Sequence, residues 1–230
     1  MGNNTTVLIT AAGSGSRMGH EKGKLFLKIG SKTVIERTLE VFDKIEKIQN
    51  ILLVIREQDK EAMEEITLAL KKPVKLVIGG SSREESTYNG LKVLEEDCDI
   101  VVCHDGARPF IRRETIEKCL EEIEKHEAVI VAVPVKDTIK CSDHNGMVDY
   151  TPNREFLYQV QTPQVFRKNI IKEAYEINKE ENIKVTDDSS LVEKLGKKVK
   201  IVLGDYTNIK ITTKEDLFVG EKILDMEEKK

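Results

Sequence analysis

The chain has 230 residues, of which 39% are hydrophobic and 34% are charged, and its formal net charge is −4. This length and composition predict one sizeable hydrophobic core, and therefore a single domain over residues 1–230. The negative charge argues against a nucleic-acid partner, and no apolar run approaches the roughly 18 residues of a membrane-spanning helix. Because the first residues lack a basic leader or a cleavage site, we expect a cytoplasmic protein without a membrane partner.

Short apolar runs alternate with amphipathic segments along the first 135 residues. This alternation predicts an α/β fold, with a mostly parallel sheet and helices on both of its faces. The predicted strands are Thr6–Ala11, Ile51–Ile55, Val74–Ile78, Ile100–Cys103 and Val129–Val133. The predicted helices lie near Thr33–Phe42, Lys60–Lys71, Ser82–Leu94 and Arg113–Lys125.

The alternation stops after Val135. Residues Lys136–Tyr158 are polar, and Asn145-Gly146 stands between short alternating runs, which is a strong hairpin signal. We therefore predict a projecting β-hairpin arm over residues 136–158. The elements predicted beyond it are helices near Lys168–Lys179 and Asp188–Leu195, a strand Val199–Val202, and a final helix that begins at Thr213. Thr212 and Glu215 fit a capping box for that last helix.

A glycine-rich turn, AAGSGSRMGHEKGK, follows the first predicted strand. Gly13 and Gly15 carry no Cβ, so the backbone N–H groups beside them can approach phosphate oxygens. Arg17 and Lys24 add positive charge, which makes the turn a candidate site for a nucleoside triphosphate. The turn has neither the GxxxxGK[ST] pattern of a P-loop nor a GxGxxG pattern that opens a helix. The alternative is an ordinary basic turn between a strand and a helix.

Polar residues also follow the other predicted strands. Ligands of an open α/β sheet bind beyond the carboxyl ends of its strands, so these segments are candidate site residues. The segments are Gly79–Arg83 with Ser86, His104–Pro109, Pro134–Thr138, and Gly204-Asp205 with Asn208–Lys210. The four cysteines lack CxxC spacing and are interpreted as reduced, packed thiols rather than as zinc ligands.

Several of these residues also have a purely structural interpretation. Arg108 either contacts a ligand or ties two loops together through Asp105. Asp187 and Asp188 fit the N-terminal cap of a helix, a position that aspartate favours. His104 is expected to be a hydrogen-bonded structural residue rather than a catalyst.

Seven segments occur in the order and spacing of the 2-C-methyl-D-erythritol 4-phosphate cytidylyltransferases: AAGSGSRMG, GGSSREES, HDGARPF, AVPVKDT, QTPQ, TDD and NIKIT. The chain resembles this family from about Val7 to Leu224. The resemblance implies a Rossmann-like α/β fold and the transfer of CMP from CTP to 2-C-methyl-D-erythritol 4-phosphate, a step of the non-mevalonate isoprenoid pathway. Two alternatives stay open: a cytidylyltransferase for another polyol phosphate, such as ribitol 5-phosphate, and a non-catalytic nucleotide-binding protein.

The same resemblance implies roles for individual residues. The catalytic cations are Arg17, Lys24, Arg154 and Lys210. The residues of the nucleotide site are Ala11, Ala12, Gly13, Ser14, Gly15, Gly79, Gly80, Ser81, Ser86, Asp105 and Gly106. The substrate-binding residues are Thr138, Arg154, Thr162, Thr186 and Lys210. The resemblance also implies Mg²⁺ as cofactor with Asp105 as its ligand, and a homodimer in which the arm of each chain completes the partner's site.

The chain departs from the family pattern in three places. Gly23 and Leu25 flank Lys24 where the family usually has proline and glutamine, which predicts a more flexible loop. Ser81 stands where an acidic residue is common, and Gly106 replaces an alanine.

Overall fold

A seven-stranded mixed sheet forms the centre of the computed structural model, which describes residues 3–13, 23–181 and 185–227. The strand bounds are β1 Thr5–Thr10, β2 Lys28–Ile29, β3 Lys32–Thr33, β4 Asn50–Ile55, β5 Val74–Ile78, β6 Ile100–Asp105, β7 Ala128–Pro134, β8 Cys141–Ser142, β9 Val148–Tyr150, β10 Tyr158–Arg167 and β11 Val199–Leu203. The sheet order is β11-β7-β10-β6-β1-β4-β5. Only β10 runs antiparallel to its neighbours within this sheet, so the predicted mostly parallel α/β sheet is confirmed.

Helices cover both faces of this sheet. Their bounds are α1 Val34–Asp43, α2 Lys60–Thr67, α3 Arg83–Lys92, α4 Arg113–Glu122, α5 Lys168–Glu181, α6 Ser189–Lys194 and α7 Lys214–Glu227. Successive side chains of a strand point to opposite faces, so Val7 and Ile9 of β1 pack with α1, α2, α4 and α7, whereas Leu8 packs with α3, α5 and α6. Each helix of the described residues is too short or too polar to span a bilayer.

Strand β10 is the main element that the sequence pattern did not predict. It lies between β6 and β7, and its pairing with β7 is irregular between Val160 and Gln164. Proline is tolerated in a sheet where the ladder is interrupted, because it has no N–H to donate. Pro163 lies at this irregularity. Because proline argues against a central strand, the sequence pattern did not predict β10.

The predicted capping box of the last helix was wrong by one residue. Helix α7 begins at Lys214, and the hydroxyl of Thr213, not that of Thr212, accepts the N–H of Asp216 at 3.4 Å. The Asp216 carboxylate accepts the N–H groups of Thr212 and Thr213 at 2.7 and 2.8 Å. Asp216 therefore takes the place that was predicted for Glu215.

The arm predicted over residues 136–158 contains a hairpin formed by β8 and β9. Gly146 in its turn has a φ of 81°, which glycine adopts without steric cost. Met147, Val148 and Tyr150 expose 57–69% of their surface, so the arm has little core of its own within one chain.

Candidate active site

The carboxyl ends of β1, β4, β5 and β6 open into a cavity of about 680 Å³, which we call the larger cavity. This volume falls in the range of small-molecule sites. The residues predicted from the sequence that line it are Ala11, Ala12, Gly13, Lys24, Gly79, Gly80, Ser81, Ser86, Asp105 and Lys210. Gly106 is itself buried, and its neighbour Ala107 lines the cavity.

A second cavity of about 410 Å³, which we call the smaller cavity, adjoins the first. Its lining includes Thr162 and Thr186, two of the predicted substrate residues. Among the described residues, three line both cavities: Arg83, Asp105 and Lys210. The two cavities therefore meet at these three side chains, and we call this place the junction.

Asp105 provides the negative charge at the junction. Its carboxylate is buried, and its Oδ2 lies 3.0 Å from Lys210 Nζ and 3.2 Å from Arg108 Nε. Burial alone would raise the pKa of Asp105, but the positive charges of Lys210, Arg108 and Arg83 outweigh it and hold this pKa well below its usual range. The carboxylate is therefore ionised at neutral pH.

A bidentate ion pair with the buried Asp188 fixes Arg83 at the junction. Its Nη1 and Nη2 donate to the two carboxylate oxygens of Asp188 at 2.8 Å each. The Asp188 side chain is 1% exposed and also accepts the hydroxyl of Tyr175 at 2.5 Å. Burial disfavours the charged guanidinium, but the charge and hydrogen bonds of Asp188 outweigh it and raise the pKa of Arg83. Arg83 is thus a permanent, oriented cation.

Close contact between two loops shapes the larger cavity. A Cβ at Gly79 would lie 2.5 Å from the Cβ of Ala12, so only glycine allows this approach. The N–H of Gly80 donates to Ser86 Oγ at 3.0 Å, which fixes the start of α3 against the loop. Ser81 donates its N–H and its hydroxyl to one oxygen of Glu85, at 2.6 and 2.7 Å. These two hydrogen bonds tie the loop that carries Ser81 to the first turn of α3.

Lys24 begins a short 3₁₀ helix that the buried Leu25 anchors. Gly23 before it has φ 80° and ψ 164°, a region that is essentially restricted to glycine. A Cβ at Gly23 would lie 2.9 Å from Nη2 of Arg56, whose guanidinium is paired with Asp59 at 2.5 and 2.8 Å. Proline, with its φ fixed near −65°, could not take this conformation. The position of Lys24 therefore depends on a glycine at residue 23.

His104 is buried and has partners for both ring nitrogens. Its Nδ1 lies 2.9 Å from Thr162 Oγ1, and its Nε2 lies 3.2 Å from the main-chain oxygen of Arg108. Burial lowers the pKa of His104 to about 4, so the ring is neutral at physiological pH. His104 is a hydrogen-bonded structural residue, as the sequence indicated.

Two other structural interpretations can be judged from the contacts. Arg108 ties two loops together, because it pairs with Asp105 and donates from Nη1 to the main-chain oxygen of Asn208 at 2.8 Å; it also lines the smaller cavity. Asp187 caps α6 by accepting the N–H of Ser190 at 3.2 Å. Asp188 does not act as a side-chain cap, since its carboxylate is committed to Arg83 and Tyr175.

The remaining predicted residues lie elsewhere. Thr138 and Arg154 are exposed on the arm, where Arg154 Nη1 donates to the main-chain oxygen of Lys136 at 2.6 Å. Within the part of one chain that the structure describes, neither residue lines the two cavities. Ser14, Gly15 and Arg17 fall outside the described residues.

Sequence reasoning assigned no role to two cations of the site. Arg56 lines the larger cavity and Arg83 lines both cavities. Arg56 directly follows β4, so the rule that ligands bind beyond strand ends would have found it. Arg83 lies in the segment Gly79–Arg83 that follows β5, but its partner Asp188 is distant in sequence, so no local pattern indicated the pair.

A family model described as IspD, 2-C-methyl-D-erythritol 4-phosphate cytidylyltransferase, matches residues 5–226. A protein of that name from Caldanaerobacter subterraneus subsp. tengcongensis is 44% identical over 224 residues, covering 96% of this chain and 99% of the relative. One from Alkaliphilus metalliredigens is 47% identical over 222 residues, covering 95% and 92% of the two chains.

Solved structures agree with these sequence matches. The crystal structure of 4-diphosphocytidyl-2C-methyl-D-erythritol synthase from Anaerococcus prevotii superposes with a TM-score of 0.90 at 40% identity, covering 98% of this chain and 100% of that one. The corresponding cytidylyltransferase from Thermus thermophilus gives a TM-score of 0.76 at 28% identity, with 95% and 98% covered. The chain belongs to the 2-C-methyl-D-erythritol 4-phosphate cytidylyltransferase family.

Proposed function

We propose that this chain transfers CMP from CTP to 2-C-methyl-D-erythritol 4-phosphate at the junction, releasing pyrophosphate. Family membership supports the reaction, and the observation that carries its placement is the sharing of Arg83, Asp105 and Lys210 by two adjoining cavities. Two anionic reactants must meet for this reaction to occur. The larger cavity takes CTP, and the smaller cavity takes the acceptor.

The chemistry requires alignment and charge neutralisation rather than a strong base. An oxygen of the acceptor phosphate attacks the α-phosphorus of CTP, and the bond from that phosphorus to the pyrophosphate leaving group breaks. Since the nucleophile is already an anion, the chain needs no Ser-His-Asp arrangement. Lys24 and Lys210 act as point charges on phosphate oxygens, and the loops around Ala12 and Gly79 hold the nucleotide. Arg17 is proposed to act with Lys24 as a positive charge on the phosphate oxygens of CTP.

Mg²⁺ is proposed as the cofactor, with Asp105 as its protein ligand. The described residues contain no cluster of three metal-binding side chains. Mg²⁺ usually takes only one or two carboxylates and draws its other ligands from phosphates and water, so one ionised carboxylate at the junction fits this ion. Lys210 and Arg108 both contact Oδ2 of Asp105, so the carboxylate that would hold the metal is itself fixed in place. When bound, the metal would neutralise charge on the phosphates.

A homodimer is proposed because Thr138 and Arg154, substrate residues by family resemblance, lie away from the cavities on an exposed arm. Isolated two-stranded ribbons are marginally stable, so packing against a second chain would bury the arm. Two-fold symmetry would then place each arm at the partner's acceptor cavity. The cytoplasmic location expected from the sequence remains a prediction.

The function is tested by measuring pyrophosphate release with CTP, Mg²⁺ and each candidate acceptor. The chain belongs to the 2-C-methyl-D-erythritol 4-phosphate cytidylyltransferase family. It should therefore use 2-C-methyl-D-erythritol 4-phosphate with a far higher kcat/KM than ribitol 5-phosphate. A preference for ribitol 5-phosphate would show that the acceptor assignment is wrong. Absence of turnover with both would favour a non-catalytic nucleotide-binding protein.

The conformation of Gly23 gives a prediction with a matched control. Gly23→Ala and Gly30→Ala both place a Cβ at positive φ and 2.9 Å from an arginine Nη2, that of Arg56 or Arg37, and the Cβ at position 30 also lies 2.7 Å from Leu224 Cδ2. Each should lower the free energy of unfolding by about 1–3 kcal/mol. Only Gly23→Ala should also displace Lys24, so it alone should lower kcat/KM, by roughly 10²-fold.

Denaturant unfolding and steady-state assays of the two variants would check this expectation. Lys24→Ala provides the benchmark and should lower turnover by roughly 10²–10³-fold. Equal activity of the two glycine variants would mean that Gly23 does not place Lys24.

The arm is tested by complementation between chains. An Arg154→Ala chain and a Lys24→Ala chain should each be nearly inactive alone. A mixed dimer has one site with both wild-type residues and one site with neither, so reassembled mixtures should recover about one working site per mixed dimer. The measurement is turnover after subunit exchange that has been confirmed by mass spectrometry. A monomer in solution, or no recovery despite exchange, would show that Arg154 serves its own chain.

A further inference from the structure

Successive residues at the end of strand β4 hold the loops around the larger cavity. The main-chain oxygen of Val54 accepts the N–H of Ala11 at 2.7 Å, and that of Ile55 accepts the N–H of Gly79 at 2.8 Å. Ala11 and Gly79 both line the larger cavity. The loops that follow β1 and β5 are therefore fixed to the same strand end through the main chain.

Arg56, the next residue after this strand, holds the loop that carries Lys24 through its side chain. A Cβ at Gly23 would lie 2.9 Å from Arg56 Nη2, 3.6 Å from Cζ and 3.8 Å from Nη1, so the guanidinium packs against Gly23. The main-chain oxygen of Gly23 accepts the N–H of Phe26 at 3.3 Å, which closes the short 3₁₀ turn. The position of Gly23 therefore sets the position of this turn, and Lys24 is its first residue.

Asp59 fixes the guanidinium in this orientation. Arg56 Nε and Nη2 donate to the two carboxylate oxygens of Asp59 at 2.5 and 2.8 Å, and the N–H of Asp59 donates to the main-chain oxygen of Arg56 at 3.0 Å. Asp59 is 6% exposed, so water competes little for these bonds. The carboxylate also offsets the charge of Arg56, so the guanidinium can lie beside the Lys24 loop with little repulsion between the two cations.

We propose that Arg56 is a positioning residue for Lys24: its guanidinium, oriented by Asp59, supports Gly23 and so sets where the Lys24 ammonium group lies in the larger cavity. This deepens the proposed function and rests on it for the role of Lys24 on the phosphates of CTP. The support depends on shape, because a planar guanidinium can lie against a glycine while it binds both oxygens of one carboxylate. A lysine cannot do this. The charge that acts on the nucleotide comes from Lys24, and Arg56 acts through it.

The first test measures amide hydrogen exchange of the substrate-free protein and does not depend on activity. The N–H groups of Phe26 and Leu27 donate to the main-chain oxygens of Gly23 and Lys24 at 3.3 Å each. Arg56→Ala should speed the exchange of both amides by roughly fivefold or more, because the turn opens more readily without its support. Unchanged exchange would overturn the proposal. Since this result stands even if no transfer activity is found, failure of the support and failure of the proposed function can be told apart.

Arg37→Ala is the matched control. Arg37 also packs against a glycine at positive φ, since a Cβ at Gly30 would lie 2.9 Å from its Nη2, but in the described part of the chain it lines neither the larger nor the smaller cavity. This variant should leave kcat and the exchange of Phe26 and Leu27 unchanged. Equal acceleration of exchange in the two arginine variants would mean that Arg56 provides only general stability, which would overturn the proposal.

The second test asks whether Arg56 affects the rate only through Lys24. Arg56→Ala should lower kcat by roughly tenfold while the KM for CTP stays within about twofold. Arg56→Lys, which keeps the charge but not the planar group, should be nearly as slow. In a Lys24→Ala background, Arg56→Ala should cause no further loss, because the group that it positions is already absent.

Asp59→Asn serves as a second variant if Arg56→Ala does not fold, with thermal unfolding measured for each protein. It keeps the size of the side chain but leaves one acceptor oxygen for two donors, so it should lower kcat by roughly fivefold with Arg56 still present. Unchanged kcat in Asp59→Asn would overturn the proposal. A further loss in the Lys24→Ala background, or full activity of Arg56→Lys, would show that Arg56 acts on CTP through its own charge and would equally overturn it.

Discussion

The buried carboxylate of Asp105 and its two cations are the constraint on which the site depends. An ionised carboxylate loses several kcal/mol of hydration when it is buried, so it persists only where opposite charge is held beside it. Arg108 comes from the same loop, but Lys210 comes from a segment beyond β11. The end of β6 and the C-terminal part of the chain must therefore be assembled together before the carboxylate is stable in its ionised form.

The sheet topology provides the second half of the site. Strand β10 is inserted antiparallel between β6 and β7, and this brings Gln161 and Thr162 beside the end of β6. Without that insertion, Asp105 would line the larger cavity alone. With it, Asp105 lies between two cavities, which is what a reaction between two phosphates requires. Arg83, held by Asp188, and Lys210 complete the positive surroundings of that place.

The sequence predicted the parts of this arrangement that follow from local patterns. Alternating apolar and amphipathic segments gave the strands and helices to within a few residues, and the strand-end rule located Lys24, Gly79 and Asp105. Strand β10 was missed because Pro163 breaks the expected pattern at a ladder irregularity. The Arg83–Asp188 pair, the contact between His104 and Thr162 and the φ of Gly23 depend on contacts between distant segments. No local periodicity encodes such contacts, so they require the folded structure.

The most direct measurement of the central claim is a crystal structure of the chain with 4-diphosphocytidyl-2-C-methyl-D-erythritol, the product that joins both reactants. We expect the cytidine to lie in the larger cavity along Gly79 and Gly80, and the methylerythritol to lie in the smaller cavity near Thr186. The diphosphate that links them should then lie at the junction, in contact with Lys210. A diphosphate that lies away from Lys210 and Asp105, or a product whose two halves occupy one cavity, would show that the reaction does not take place at the junction.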